Sequence, residues 1–282
     1  MKAKSYAKIN LSLDVVGKRE DGYHNIKTIM QKISLYDEIE FRKIDRGFNL
    51  KSNVSSINND DNLIYKAWKC MCEYKNRELP IEVSLKKNIP IAAGLAGGSG
   101  NGAETLKAIN KLYNIGLSIE ELREMSLKIG ADFPYMLTGG TVLASGIGEK
   151  LERLTDFNGV SVLIVNPNYG ISTKSVYQNI SIEDNRIDFD KIVESMKYKS
   201  AKKLKGLLEN KMEKVVFKNH PDIALIKCEL ENFGATSLMS GSGSTVFGLF
   251  DDDIALNKAY LYFFEKYKNC YKAVTVGGED EI

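Results

Sequence analysis

The run Pro90-Ile91-Ala92-Ala93-Gly94-Leu95-Ala96-Gly97-Gly98-Ser99-Gly100 constrains this chain more than any other segment, because it packs four glycines between two differently patterned stretches. Before it, residues 81–85 alternate apolar and polar like a strand; after about Gly98 the spacing is helical. A strand must therefore hand over to a helix through a backbone that can approach a ligand closely. Amide groups converging at a helix N-terminus, where the macrodipole is positive, favour a phosphate. Ser99 adds a hydroxyl able to reach a phosphate or Mg²⁺. The plainer alternative is a tight, closely packed turn, and a glycine cluster on its own signals that more often. No Lys-Ser or Lys-Thr follows a correctly spaced glycine pair, and the run is not GxGxxG, so P-loop and Rossmann readings are disfavoured.

Around this segment the pattern is mixed. Strand-like runs at 6–16, 26–35 and 38–42 precede a helix at 62–74, and a second helix is expected over 118–129, with Ser118 as N-cap and Glu121 completing a capping box. Strands are expected at 141–144 and 160–165, helices dominate 172–233, and the tail reads strand 236–239, turn 240–244, strand 246–250, helix 254–267, strand 271–276. The fold class is thus α+β, with a soft boundary near Asn158 dividing 1–158 from 159–282.

Bulk properties narrow the function. At 282 residues with 43% apolar and 27% charged residues, the chain is an ordinary globular one. Its net charge of +2 offers no case for nucleic acid or membrane as main partner. Two histidines, His24 and His220, and four dispersed cysteines make neither a zinc centre nor a disulfide framework, so no protein-built metal site is expected. With no signal-like N-terminus and no run of 18 apolar residues, a cytoplasmic protein is expected, as a monomer or weak homodimer.

Three segments recur in an informative order: Ala7-Lys8-Ile9-Asn10-Leu11 with Asp21-Gly22-Tyr23-His24, the glycine run with Gly130-Ala131-Asp132-Phe133-Pro134, and Met239-Ser240-Gly241-Ser242-Gly243-Ser244-Thr245. Together they resemble the motifs of the GHMP kinase superfamily over nearly the whole chain. Within it they are most similar to the branch that phosphorylates the 2-hydroxyl of a cytidine-diphosphate derivative of methylerythritol, in isoprenoid precursor synthesis. The resemblance implies a ribosomal-S5-like N-terminal domain carrying the ATP loop, a ferredoxin-like C-terminal domain and a cleft between them. It leaves two alternatives: a sibling kinase acting on mevalonate, homoserine or a sugar, or a catalytically weak nucleotide-binding relative.

What it implies for residues is specific. Lys8 and Asp132 correspond to the catalytic pair, and phosphoryl transfer to an alcohol needs such groups, one to take or orient the hydroxyl proton and one to offset charge. On residue type alone, Lys8 also reads as a solvated strand lysine and Asp132 as a turn aspartate. Residues 90–100 would hold ATP, with Mg²⁺ carried mainly on its phosphates. Asn10 shares a strand face with Lys8 and would meet substrate. Tyr23, His24 and Tyr177 would hold the cytidine end, and Gly241, Ser242 and Gly243 would close a turn over anionic groups. The chain departs from the family run Ser-Ser-Asp/Asn-Ala-Ala with Ser99-Gly100-Asn101-Gly102-Ala103-Glu104, which suggests a looser loop and a carboxylate, Glu104, that would repel phosphate if it faced inward.

Overall fold

The computed structural model describes residues 1–278, so the last four residues of the expected second domain lie outside the described residues. The chain forms two compact units that interleave in sequence: one takes Met1–Ala7, Tyr36–Ile89 and Ala96–Thr138, the other Lys8–Leu35, Pro90–Leu95 and Gly139 onward. Two long strands, β1 (Lys2–Lys18) and β2 (His24–Lys43), pair with each other and contribute to both units. The strands expected at 26–35 and 38–42 are therefore one continuous strand.

In the first unit the C-terminal half of β2 runs antiparallel to β4 (Ile81–Lys86), with Phe41 opposite Val83, and β3 (Phe48–Ser52) lies parallel to β4 on the other side. Alternation puts Ile81, Val83 and Leu85 on one buried face. The helices α1 (Leu63–Lys75) and α2 (Gly97–Leu112) pack on each other, and Ile64, Ala67, Met71, Leu106 and Ile109 are among their buried residues. Asn62 starts α1 by accepting from the Ile64 amide, and Asn76 ends it in the left-handed region. The capping box of Ser118 and Glu121 opens α3 (Ile119–Ser126) as anticipated, although the helix gives way to a turn before 129. α4 (Phe133–Thr138) was not legible: five of its six residues are buried, so it carries no amphipathic period.

In the second unit β2 pairs antiparallel with β5 (Thr141–Gly146), which pairs with β6 (Lys150–Arg153). A separate antiparallel sheet has the order β10-β7-β9-β8, from β7 (Ser161–Asn166), β8 (Thr236–Met239), β9 (Val246–Phe250) and β10 (Asn269–Val274). Between β7 and β8 come α5 (Thr173–Asn179), α6 (Phe189–Met196), α7 (Ala201–Leu204), α8 (Glu213–Asn219) and α9 (Pro221–Asn232), and α10 (Asp253–Lys266) follows β9. Leu163, Val165, Ile226, Leu230, Val246 and Phe263 centre its core. Among the described residues no helix is long and apolar enough to cross a membrane.

Candidate active site

Lys8 is buried to 4% exposure, which rules out a solvated strand lysine. A buried ammonium needs acceptors. It donates to Asn10 Oδ1 at 2.7 Å and to the Gly94 carbonyl at 2.9 Å. Strand alternation explains the first contact, since Lys8 and Asn10 project from the same face of β1. Asn10 is fixed in turn: its Nδ2 donates to Thr28 Oγ1 at 2.8 Å, and Thr28 donates to the Ser12 carbonyl at 2.6 Å.

The second contact depends on how Gly94 meets the turn at 240–244. Ser240 Oγ donates to the Gly94 carbonyl at 2.9 Å and accepts from the Asn10 amide at 3.3 Å. Gly94 has φ +77°, and a Cβ there would stand 2.1 Å from the Ser240 carbonyl oxygen, so only glycine fits. At Gly241 an added Cβ would lie 3.5 Å from Lys8 Nζ and 3.3 Å from Asn10 Oδ1. Lys8, Asn10, Gly94, Ser240 and Gly241 thus form one contiguous, largely buried polar cluster. The turn is itself braced: Asn210 donates to the Met239 and Gly241 carbonyls at 2.7 and 2.8 Å, Asn166 donates to Ser244 and Thr245 hydroxyls at 3.0 and 3.1 Å, and Ser242 shares a 2.8 Å hydroxyl contact with Thr173. Thr28, Asn166 and Asn210 escaped the sequence reading. An asparagine inside a helix-patterned stretch carries no local signal of a long-range clamp.

His24 opens β2, and its ring stacks on Tyr177 of α5 at 5.0 Å between centroids and 17° between planes. Tyr177 also packs against the core of the second unit, as the plain core reading has it. A base slipped between two rings needs about 7 Å, twice the carbon contact distance of ~3.5 Å. The 5.0 Å between these two rings therefore leaves no room for a third ring between them. Burial, aided by the nearby positive charge of Lys18, holds the His24 imidazole below its usual range, which favours the neutral ring. Tyr23, at 61% exposure, stands on the turn where Asp21 accepts from Arg19 and from the Tyr23 amide.

Pro90 to Leu95 and Gly243 lie in this same unit, whereas Ala96 to Gly100 and Asp132 belong to the other. Ala96, at φ +53°, sets the start of α2, and no acidic residue occupies that helix's first turn. The amides of Gly97, Gly98 and Ser99 are its first unspent donors. Glu104 pairs with Lys107 at 2.9 Å one turn further on, so its charge is matched. Asp132 is half-buried in the turn before α4, where its carbonyl accepts from the Met136 amide at 3.0 Å and the Phe133 amide bonds back to Gly130 at 3.2 Å. Among the described residues no cluster of three or more His, Cys, Asp or Glu could cage a metal ion.

Comparison with known proteins adds a family and close relatives. The family of GHMP kinases N terminal domains matches residues 62–148, and that of GHMP kinases C terminal matches residues 192–269. The 4-diphosphocytidyl-2-C-methyl-D-erythritol kinase of Clostridium novyi (strain NT) is 43% identical over 279 residues, covering 97% of this chain and 99% of its own. That of Clostridium perfringens (strain 13 / Type A) is 41% identical, with 95% of both chains covered. A crystal structure of 4-(cytidine 5'-diphospho)-2C-methyl-D-erythritol kinase superposes with a TM-score of 0.86 at 28% identity, covering 99% of this chain and 100% of the other. Methanococcus jannaschii mevalonate kinase, at a TM-score of 0.74 and 17% identity, shares the fold alone.

Proposed function

Because this chain belongs to the GHMP kinases, with the 4-diphosphocytidyl-2-C-methyl-D-erythritol kinases as its close relatives, we propose that Lys8 and Asp132 serve as its catalytic pair in ATP-dependent phosphorylation of the 2-hydroxyl of that cytidine-diphosphate substrate. The observation that carries this reading is the buried Lys8 ammonium. Its bonds to Asn10 and the Gly94 carbonyl hold a positive charge at the glycine run, with the 240–243 turn beside it. A fixed cation of this kind offsets charge on a transferring phosphoryl group without reorganising. Asp132 takes or orients the hydroxyl proton, and proton transfer of this sort contributes roughly 10²–10⁴-fold.

The ATP phosphates rest on the donors at the start of α2 and along residues 90–100, a lining free of first-turn carboxylates. Mg²⁺ carried on the nucleotide would neutralise phosphate charge, and Ser99, which brings a side-chain oxygen to the first turn of α2, would be the residue to hold it. The cytidine stacks against the His24 and Tyr177 pair, with Tyr23 beside it, and Asn10, Gly241, Ser242 and Gly243 meet the diphosphate and the reacting end. The four cysteines are free thiols, which suits the reducing cytoplasm where ATP is supplied.

The test is turnover by the purified protein. ATP and 4-diphosphocytidyl-2-C-methyl-D-erythritol should yield ADP and a phosphorylated product, while mevalonate, homoserine and galactose should not react. Turnover of one of those alcohols with none of the cytidine substrate would overturn the substrate assignment. An Asp132→Asn variant as active as the wild type would remove Asp132 from the pair.

A further inference from the structure

We propose that Gly102 is a positioning residue: by leaving room for the Phe133 ring, it sets where the adjacent Asp132 stands. The inference rests on the catalytic reading of Asp132. Gly102 lies in the second turn of α2, where the family run carries alanine, and a glycine inside a helix is unfavourable by about 0.5–1 kcal/mol relative to alanine. Something must offset that cost. A Cβ built on Gly102 would stand 2.4 Å from Phe133 Cζ, 2.7 Å from Phe133 Cε1 and 3.0 Å from the Leu63 carbonyl oxygen. Carbon contacts settle near 3.5–4.0 Å, so an alanine would require the ring to retreat by about 1 Å.

That ring has nowhere easy to go. Phe133 is fully buried, one of the largest side chains with no exposed surface, so close-packed neighbours stand where the ring would have to move. It is the first residue of α4, with its amide bonded to Gly130 and the next turn closed by the Met136 amide on the Asp132 carbonyl. Displacement of the ring is therefore passed to the backbone that carries the Asp132 carboxylate. The neighbouring departure follows the same logic, because Gly100 backs onto Ser5 and Met136, a residue of α4. The two glycines, both inside α2, are close-packing sites that seat α4 against α2.

The test is a double-mutant cycle on the full chain, read as kcat and as KM for each substrate. Gly102→Ala should lower kcat by roughly 10–100-fold, the scale of a 1 Å misplacement, with both KM values within about threefold. Phe133→Leu, which removes the ring's far atoms, should restore kcat in the Gly102→Ala background to within about fivefold of wild type. The reciprocal arm applies if Gly102→Ala fails to fold: Phe133→Leu alone should lower kcat, and adding Gly102→Ala should raise it again. Wild-type kcat in Gly102→Ala, or additive losses in the double variant, would overturn the proposal. Asp132→Asn runs alongside: its inactivity with an unperturbed Gly102→Ala defeats the positioning role alone, whereas full activity in Asp132→Asn defeats the catalytic reading beneath it.

Discussion

Replacing Asp37 by asparagine should cost this protein about 3–5 kcal/mol of stability, the usual consequence of removing one partner from a buried ion pair. The Asp37 side chain is wholly buried and that of Lys87 is 6% exposed. One carboxylate oxygen accepts Lys87 Nζ at 2.6 Å, and the other accepts the Asn88 and Ile89 amides at 2.7 and 2.8 Å. An asparagine can keep the two amides on its carbonyl oxygen but turns an NH₂ group toward the ammonium. Alanine would also orphan both amides, adding about 1–3 kcal/mol for each. The loss has a pH signature. Burial already pushes the Lys87 ammonium below its ordinary range, and the Asp37 charge opposes that shift. Without Asp37 it falls further, so over a wider window beneath the ordinary lysine value the folded variant binds fewer protons than the unfolded chain. Stability of the variant then rises with pH more steeply than that of the wild type, and the deficit shrinks between about pH 7 and pH 9.5. Urea denaturation of both proteins at the two pH values reads this directly. A deficit under about 1 kcal/mol at neutral pH, or one that grows on alkalinisation, would refute the reasoning. Because a Cβ at Gly97 would stand 2.8 Å from both Lys87 Nζ and Ile89 Cγ2, the start of α2 rests on this pair, and KM for ATP should rise along with the loss of stability.

Other consequences are read by kinetics. Gly94→Ala forces a Cβ into the Ser240 carbonyl at a positive φ, so about 2–3 kcal/mol of stability should be lost and kcat should collapse, whereas Gly159→Ala, equally left-handed but open to space, should lose stability with kcat unchanged. His24→Ala should raise KM for the cytidine substrate roughly 3–10-fold, the worth of one aromatic stack, with KM for ATP unmoved. Since the folded His24 imidazole titrates below its usual range, the neutral ring persists at pH 7; KM for the cytidine substrate should be flat there and rise only as acidification reaches that lowered value, and a rise beginning above the ordinary histidine range would contradict it. Ser240→Ala removes the hydroxyl that ties Asn10 to Gly94 and should lower kcat more than either KM, which steady-state kinetics on the two substrates would show.

Much of this was legible in the residues because the informative signals are local. The capping box at Ser118 and Glu121, the alternation of 81–85, and the strands at 236–239 and 246–250 are short-range patterns, and they appear at or near the expected bounds. Where the pattern was missing, the chain was saturated or sparse: α4 is buried nearly all round, and β6, with sequence Lys-Leu-Glu-Arg, is a charged edge strand of four residues. The two long strands were read as shorter pieces because both faces are buried over 7–15 and 28–33, so alternation is lost there and marks only part of each strand. At the site, Lys8 and Asn10 could be placed on one face from spacing alone. What spacing cannot carry is the bond from Asn210 to the carbonyls of 239 and 241, or the contact of Gly102 with a ring 31 positions away, since both are set by tertiary packing.

The claim on which the rest turns is that the Lys8 ammonium, seated on Asn10 and Gly94, stabilises the phosphoryl group in flight. Single-turnover phosphoryl transfer by Lys8→Met, at saturating ATP and cytidine substrate, addresses it most directly. The account predicts a rate lower by about 10²–10³-fold, with nucleotide affinity changed far less. A variant that transfers phosphate within about threefold of the wild-type rate would contradict it.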